Sequence, residues 1–430
     1  MASVLLFGMA MMFPVAPVAV FGEVSVASHG HFALCYIIAV IPMSFTAFSY
    51  GQMAAAYPIA GSAYSYVSNS ISPYLGFLAG WAIYLDYALF PILNYIVIGI
   101  YMDVLLGIPA WISIIVAVAI VTIVNISGIK NLSLVNNFLV AFMFLVVVYF
   151  CVASFGALAG GGVGLGGFTS LPFYNPETFS WGAILAGTSI ACFSFMGFDA
   201  MTTLSEEVKE PKKVLPKATV IVCFVMGAIF ILQAYFAQST FPDYNNYTDL
   251  DSAFLDAAAA AGGNLLVTFV SIAMVAGSIA NAIDSQAGVA RVMYGMGRDR
   301  MLPQKIFGYL HPRTQVPIYN ILIVAALGII GGLFMGLGQV VTLINFGALT
   351  AFVFVNLSVV AHYFIKNKNR GGIDVLRYLI VPLLGCLTCV VLWINLSFDS
   401  HVAGIAWLVV GVIVMAITTG GFKKKPTLTS

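Results

Sequence analysis

The chain has 430 residues, of which 61% are hydrophobic and only 8% are charged, with a formal net charge of +1. Soluble domains carry about 25% charged residues, so a soluble globular protein is excluded and a polytopic membrane protein is expected. The net charge says nothing about partners, whereas its distribution does.

Residues 24–85, 131–176 and 314–365 contain no Asp, Glu, Lys or Arg. Each stretch is long enough for about two crossings at ~20 residues per span. Hydropathy predicts twelve spans: 2–25, 33–57, 75–103, 110–128, 134–159, 181–205, 214–238, 264–293, 317–336, 339–364, 375–396 and 402–420. With the N-terminus inside, all 17 Lys and Arg residues fall on the inner side, from Lys130 through Lys209–Lys217, Arg291–Arg313 and Lys366–Arg377 to Lys423–Lys425. That is the positive-inside pattern, and it predicts a cell-membrane protein with both termini cytosolic. The chain opens directly in an apolar run with no basic residue ahead of it, unlike a signal peptide, and a cytosolic leader upstream of Met1 is expected. The outer loops are Gly-rich (160–167) or acidic (Asp243, Asp249, Asp251, Asp256). The inner loop 57–73 is uncharged and is expected to re-enter the membrane in part or to pack between helices.

Two spans carry breaks. In the first, Pro14 and Pro17 each lack an N–H and clash with the preceding turn, so the helix should break around Met12, Phe13 and Pro14. In the sixth, Met196-Gly197-Phe198 is followed by Asp199, and Gly197 permits unwinding. An unwound turn at membrane depth is tolerable only where protein or a water-filled cavity satisfies its backbone. The breaks lie five spans apart, and an odd repeat inserts the second block upside down. Paired interruptions in corresponding positions point to a midplane site in a secondary transporter. The alternative is two unrelated kinks.

Four carboxylates sit in or at the edge of spans: Glu23, Asp86, Asp199 and Asp284. An acid at membrane depth costs about 3 kcal/mol on insertion scales, so it normally faces a cavity or a partner. Unpaired acids suit a cationic substrate or a titrating proton. Asp86, Phe90 and Asn94 share one helix face. Asp284 follows Asn281, with Ser278 and Ser285 nearby; these hydroxyls either ligate Na⁺ or bond their own helix carbonyls, the second being expected. Glu23 is expected at the outer end of its span. The six cysteines all lie in apolar segments and read as inert buried thiols, Cys386-x-x-Cys389 included. The histidines lack metal-ligand spacing, residues 160–167 are no P-loop, and no nucleophile–base constellation is present. Neither catalysis, a cofactor, a metal nor a nucleic-acid partner is expected.

The stretch 193–217, running from Phe193-Ser194-Phe195-Met196-Gly197 through Lys212-Lys213, resembles the sixth helix and following loop of the amino acid–polyamine–organocation superfamily. The stretch 295–303 (GMGRDRMLP) with 307–312, the stretch 343–349 (LINFGAL) with 354–358, and Gly61-Ser-Ala-Tyr64 with Gly80-Trp81 and Leu85-Asp-Tyr87 resemble further helices of that family, closest to its bacterial putrescine importers. The resemblance implies an all-α membrane protein of twelve helices. Residues 1–159 and 160–364 would form two inverted repeats of five helices with helices 1 and 6 broken, and residues 365–430 two peripheral helices and a cytosolic tail. It also implies alternating access, a coupling ion (H⁺ or Na⁺), and a site lined by Phe193, Ser194 and Met196 with Phe193 as occluder; Asp199 matches a position tied to coupling or amine binding.

The departures bear on substrate. Amino acid transporters of the family carry a small Gly-Ser-Gly-like break in helix 1 whose amides hold the substrate carboxylate. Here Met12, Phe13 and Pro14 stand there, which weakens a carboxylate pocket and favours an amine. The Asp of putrescine importers near Ala19 and the helix-5 Lys of proton-coupled relatives near Phe142 or Met143 are both absent. The expected substrate is a small cationic amine, bound by Met12, Phe13, Pro14, Asp86, Phe193, Ser194, Met196, Gly197, Asp199, Asn281 and Asp284. The rival readings are an H⁺-coupled importer of neutral amino acids and a membrane sensor or scaffold that does not translocate.

Overall fold

A computed structural model gives the architecture, describing all residues except 60–61, 128–132, 207, 299–302, 313 and 424–430. Of the positions named above, Gly61, Lys130, Arg300, Arg313, Lys424, Lys425 and part of the 295–303 stretch lie outside the described residues. The described elements are α1 (Ala2–Met11), α2 (Ala16–Ala27), α3 (Phe32–Ala56), α4 (Ser62–Ser70), α5 (Pro73–Leu106), α6 (Ala110–Ser127), α7 (Ser133–Ala159) and α8 (Trp181–Ala191). Two 3-10 segments, Cys192–Phe195 and Asp199–Glu206, lead to α9 (Pro211–Thr240) and a 3-10 turn, Leu250–Ser252. Then come α10 (Phe254–Arg298), the short α11 (Gln304–Phe307), α12 (Ile318–Phe334), α13 (Leu337–Val359), α14 (Gly372–Val375), α15 (Val381–Ile394) and α16 (Phe398–Thr418).

Among the described residues, 10 helices are long and apolar enough to cross a membrane, and the α1–α2 pair, bent by 42°, makes an eleventh. The remaining predicted span is α12, whose 17 residues reach about 26 Å, just short of a hydrocarbon core of ~30 Å. Two boundaries differ from the hydropathy reading. The uncharged loop 57–73 contains α4, which buries Ala63, Tyr66 and Val67 and is a packed helix; its polar, short sequence carries no spanning signal. The eighth span begins upstream as part of α10, but the helix breaks at Gly262 and Gly263 (φ +62°), so the predicted start at 264 coincides with a real kink.

Helices in lipid associate through close packing of small residues and through interhelical hydrogen bonds. Both devices are present. A Cβ on Gly51 of α3 would sit 2.6 Å from Pro216 of α9, and one on Gly347 of α13 would sit 2.5 Å from the Ala82 carbonyl of α5. Asn125 of α6 donates to Gln286 of α10 at 2.7 Å, and Gln286 donates on to Thr122 at 3.1 Å. The six cysteines are free, and Cys389 sits 3.4 Å from the Thr46 hydroxyl, packed as an inert thiol.

Candidate substrate site

The site is built from the two breaks. After Met11 the chain leaves the helix: Phe13 has φ +52°, Pro14 carries no N–H, and α2 starts at Ala16. After Ala191 the backbone tightens into the 3-10 turn Cys192–Phe195, Met196 is extended (φ −61°, ψ 140°), and Gly197 takes φ +109°. That conformation is open to glycine and strained for other residues.

Each break frees carbonyls that lipid cannot satisfy, and each is served by an amide side chain from a neighbouring helix. Gln233 of α9 donates to the Pro14 carbonyl at 3.0 Å. Asn345 of α13 donates to the Ser189 and Ile190 carbonyls at 2.8 and 3.2 Å. The breaks also touch: a Cβ on Gly197 would lie 2.6 Å from the Met11 carbonyl oxygen and 2.8 Å from its carbon. The two interrupted spans therefore meet backbone to backbone.

Beside this junction lies a small cavity. The first break lines it with Met11, Met12 and Phe13 and the second with Phe193 and Met196. Ala16 and Ala19 come from α2, Phe90, Leu93, Asn94 and Val97 from α5, and Met274, Ser278 and Asn281 from α10. The Phe193 and Phe90 rings lie 6.2 Å apart. The lining is aromatic and thioether with three polar side chains, and no Lys or Arg contributes. A second small cavity shares Met11, Phe13 and Asn281 and reaches Gly277 and Asp284 of α10 and Met143 of α7.

Of the residues singled out from the sequence, Met12, Phe13, Phe193, Met196 and Asn281 line the first cavity, and Asp284 lines the second. Pro14, Ser194, Gly197, Asp86 and Asp199 lie outside both linings. Pro14 and Gly197 make the breaks themselves. Ser194, fully buried, shares a 2.6 Å hydrogen bond with Tyr36 of α3. Asp86 and Asp199 are each 3% exposed. Tyr87 donates to Asp199 Oδ2 at 3.3 Å, while Asp86 Oδ1 has no hydrogen-bond partner among the described residues. Asp86 lies one helical turn from the cavity-lining Phe90 on the same face of α5. The Ser285 hydroxyl donates to the Asn281 carbonyl at 2.7 Å, bonding its own helix as expected, whereas Ser278 lines the cavity. Glu23 is half-buried in the C-terminal half of α2, with Oε1 beside Gly338 of α13.

Sequence reasoning assigns no role to Gln233, Asn345, Tyr36 or Tyr87. The signal available for the first two is an amide in a long apolar run, which is costly in lipid for the same reason as an acid.

The family model of the amino acid permeases matches residues 4–419. The chain belongs to the amino acid permease family. The low-affinity putrescine importer PlaP of Escherichia coli K12 is 37% identical to this permease over 422 residues, 98% of this chain and 93% of that protein. The branched-chain amino acid permease BcaP of Bacillus subtilis is 23% identical over 402 residues, covering 89% of this chain and 84% of that one. The vacuolar cationic amino acid transporter 4 of Arabidopsis thaliana is 27% identical over 345 residues, 76% of this chain and 56% of that one. With many apolar helices and transporters as relatives, the permease is a multi-pass membrane transporter of the amino acid and polyamine class, not an enzyme.

Proposed function

We propose that this permease imports a small cationic amine of the putrescine type by alternating access, coupled to an ion. One observation favours an amine over an α-amino acid. A carboxylate at a helix N-terminus needs free backbone amides, and α2 has few to offer. Pro14 and Pro17 carry no N–H, the Ala16 N–H donates to the Phe13 carbonyl at 2.7 Å, and the Val18 N–H donates to the Val15 carbonyl at 3.0 Å. Among the described residues, the Val15 amide alone is left in that turn. The cavity offers instead the faces of Phe13, Phe90 and Phe193, each able to hold an ammonium by about 0.5–2 kcal/mol. The 37% identity to a putrescine importer supports the same reading.

On this reading the substrate lies at the meeting of the two breaks, with Phe193 closing over it. Asp199 and Asp86 stand on the inner side and Asp284 beside the second cavity as anionic partners for the amine or for the coupling ion, H⁺ or Na⁺. The twelve spans form two inverted repeats of five, residues 1–159 and 160–364, followed by two peripheral helices and a tail in 365–430. Both termini are cytosolic, as the charge distribution supports.

The test is uptake of labelled putrescine into proteoliposomes at two pH values, with diamines and amino acids as competitors. Uptake that diamines compete away carries the proposal. No uptake, and no competition by any diamine, overturns it. The rival reading, an H⁺-coupled amino acid importer, rests on the Val15 amide and predicts instead that α-carboxylates raise the melting temperature while diamines do not.

A further inference from the structure

The outer mouth of the permease carries acids that the central cavity does not use. Going outward from that cavity, helical spacing places Glu23 four residues beyond Ala19 on α2, and Tyr101 four residues beyond Val97 on α5. Both therefore extend cavity-lining faces by one turn. The 3-10 turn Leu250–Ser252 closes over this point: a Cβ on Gly22 would lie 2.2 Å from the Leu250 carbonyl oxygen, so the turn rests directly on α2. That turn carries Asp251 and follows Asp249.

The acids of this loop differ in how they are employed. Asp243 accepts from the Asn245 amide and the Asn246 side chain, Asp256 accepts from the Thr248 amide and hydroxyl, and Asp249 accepts from the Asp251 amide and Ser252 hydroxyl. The Glu23 and Asp251 carboxylates accept no hydrogen bond among the described residues, although both are partly buried. The first turn of α13, beside Gly338, compensates Glu23 in part through its dipole. Burial together with the charge on Asp249 pushes the Asp251 carboxyl above the ordinary range. The Tyr101 side chain is fully buried, its hydroxyl has no partner among the described residues, and α5 packs against the 3-10 turn that carries Asp251. A buried hydroxyl left unpaired is costly unless something fills it. The described residues hold no group of three or more His, Cys, Asp or Glu fit for a metal ion.

We propose that Glu23, Asp251 and Tyr101 form an outer ammonium site, where a cationic substrate is held one helical turn above the central cavity before it descends. A primary ammonium has three donors, matching two carboxylates and one hydroxyl, and it brings the positive charge that the outer face lacks. This rests on the amine reading above.

The experiment uses the full chain, with putrescine as the probe and two readouts. In proteoliposomes, Glu23→Gln and Asp251→Asn are each expected to raise KM for putrescine about tenfold at low ionic strength with little change in kcat, the gap narrowing as salt is raised. Asp243→Asn, bonded only within its own turn, is the control and should match wild type. In detergent, the rise in melting temperature given by putrescine should shrink in Glu23→Gln and Asp251→Asn. KM values and putrescine-induced stabilisation in both variants equal to wild type overturn the site even if transport is normal. Stabilisation by Ca²⁺ in place of putrescine, lost in the same variants, overturns it in favour of a metal site. Because the site is judged by binding and the importer reading by uptake, the two can fail separately.

Discussion

Replacing Gly197 by Ala tests the contact between the two breaks. The perturbation has two parts. Gly197 has φ +109°, and a left-handed backbone costs an L-residue about 1–2 kcal/mol. The added Cβ would also lie 2.6 Å from the Met11 carbonyl oxygen and 2.8 Å from its carbon. The obstacle is backbone, which no rotamer change can move aside, and such overpacking costs about 1–3 kcal/mol. Together they amount to about 2–5 kcal/mol, or roughly thirtyfold to several thousandfold in the population of the paired arrangement. Gly263→Ala separates the two parts: its φ is +62°, but nothing lies within 4 Å of the added carbon, so only the backbone strain of about 1–2 kcal/mol remains. The assay is putrescine uptake into proteoliposomes, with thermal unfolding of the same preparations. Gly197→Ala should lose at least about tenfold in uptake and melt below Gly263→Ala. Wild-type uptake in Gly197→Ala, with a melting temperature no lower than that of Gly263→Ala, would refute the claim that the breaks hold each other.

Asp199→Asn should abolish uptake while the protein still folds, since the amide retains the shape and can still accept from Tyr87; wild-type rates would remove Asp199 from the mechanism. Phe193→Ala should raise KM by roughly 2- to 30-fold through loss of a cation–π face, measured by initial rates across putrescine concentrations. Asn345→Leu strips the donor from the Ser189 and Ile190 carbonyls and should lower stability by about 1–3 kcal/mol. Thermal unfolding checks it, and a melting temperature equal to wild type would mean that those carbonyls find another donor.

The breaks were legible because proline and glycine act on their own backbone: Pro14, Pro17 and Gly197 announce an interruption whatever surrounds them. The spans were legible because lipid forces each to close its own hydrogen bonds. What surrounds a break was not legible. Nothing in the local pattern says that Gln233, on a helix more than two hundred residues along the chain, serves Pro14, or that Ser194 turns to Tyr36 instead of the cavity. These are pairings between distant segments, and composition and spacing within one span do not encode them. That loop 57–73 packs between helices was one of the two expectations, but that it forms helix α4 was missed for a related reason. It is short and polar, and its burial comes from α5 and α13 packing around it, so a reading based on apolar length passes over it. The acids show the opposite limit. Their cost in lipid made Asp86 and Asp199 conspicuous, but it could not say that both stand outside the cavity lining instead of in it.

That placement is informative when α5 is followed along its length. Asp86, Phe90, Asn94, Val97 and Tyr101 succeed one another at spacings of four, four, three and four residues and share one face. Phe90, Asn94 and Val97 line the cavity, Asp86 lies a turn toward the N-terminal end of α5 near Tyr87 and Asp199, and Tyr101 lies a turn toward its C-terminal end, which packs against the turn carrying Asp251. On the proposed reading, a cation moving along this face meets charge at both ends and neutral aromatic and amide groups between them. A carrier must bind tightly enough to load and weakly enough to release. A carboxylate in the central cavity would bind an ammonium most strongly at the point where it has to let go. Moving the acids one turn to either side keeps the path attractive to cations while leaving the central site shallow.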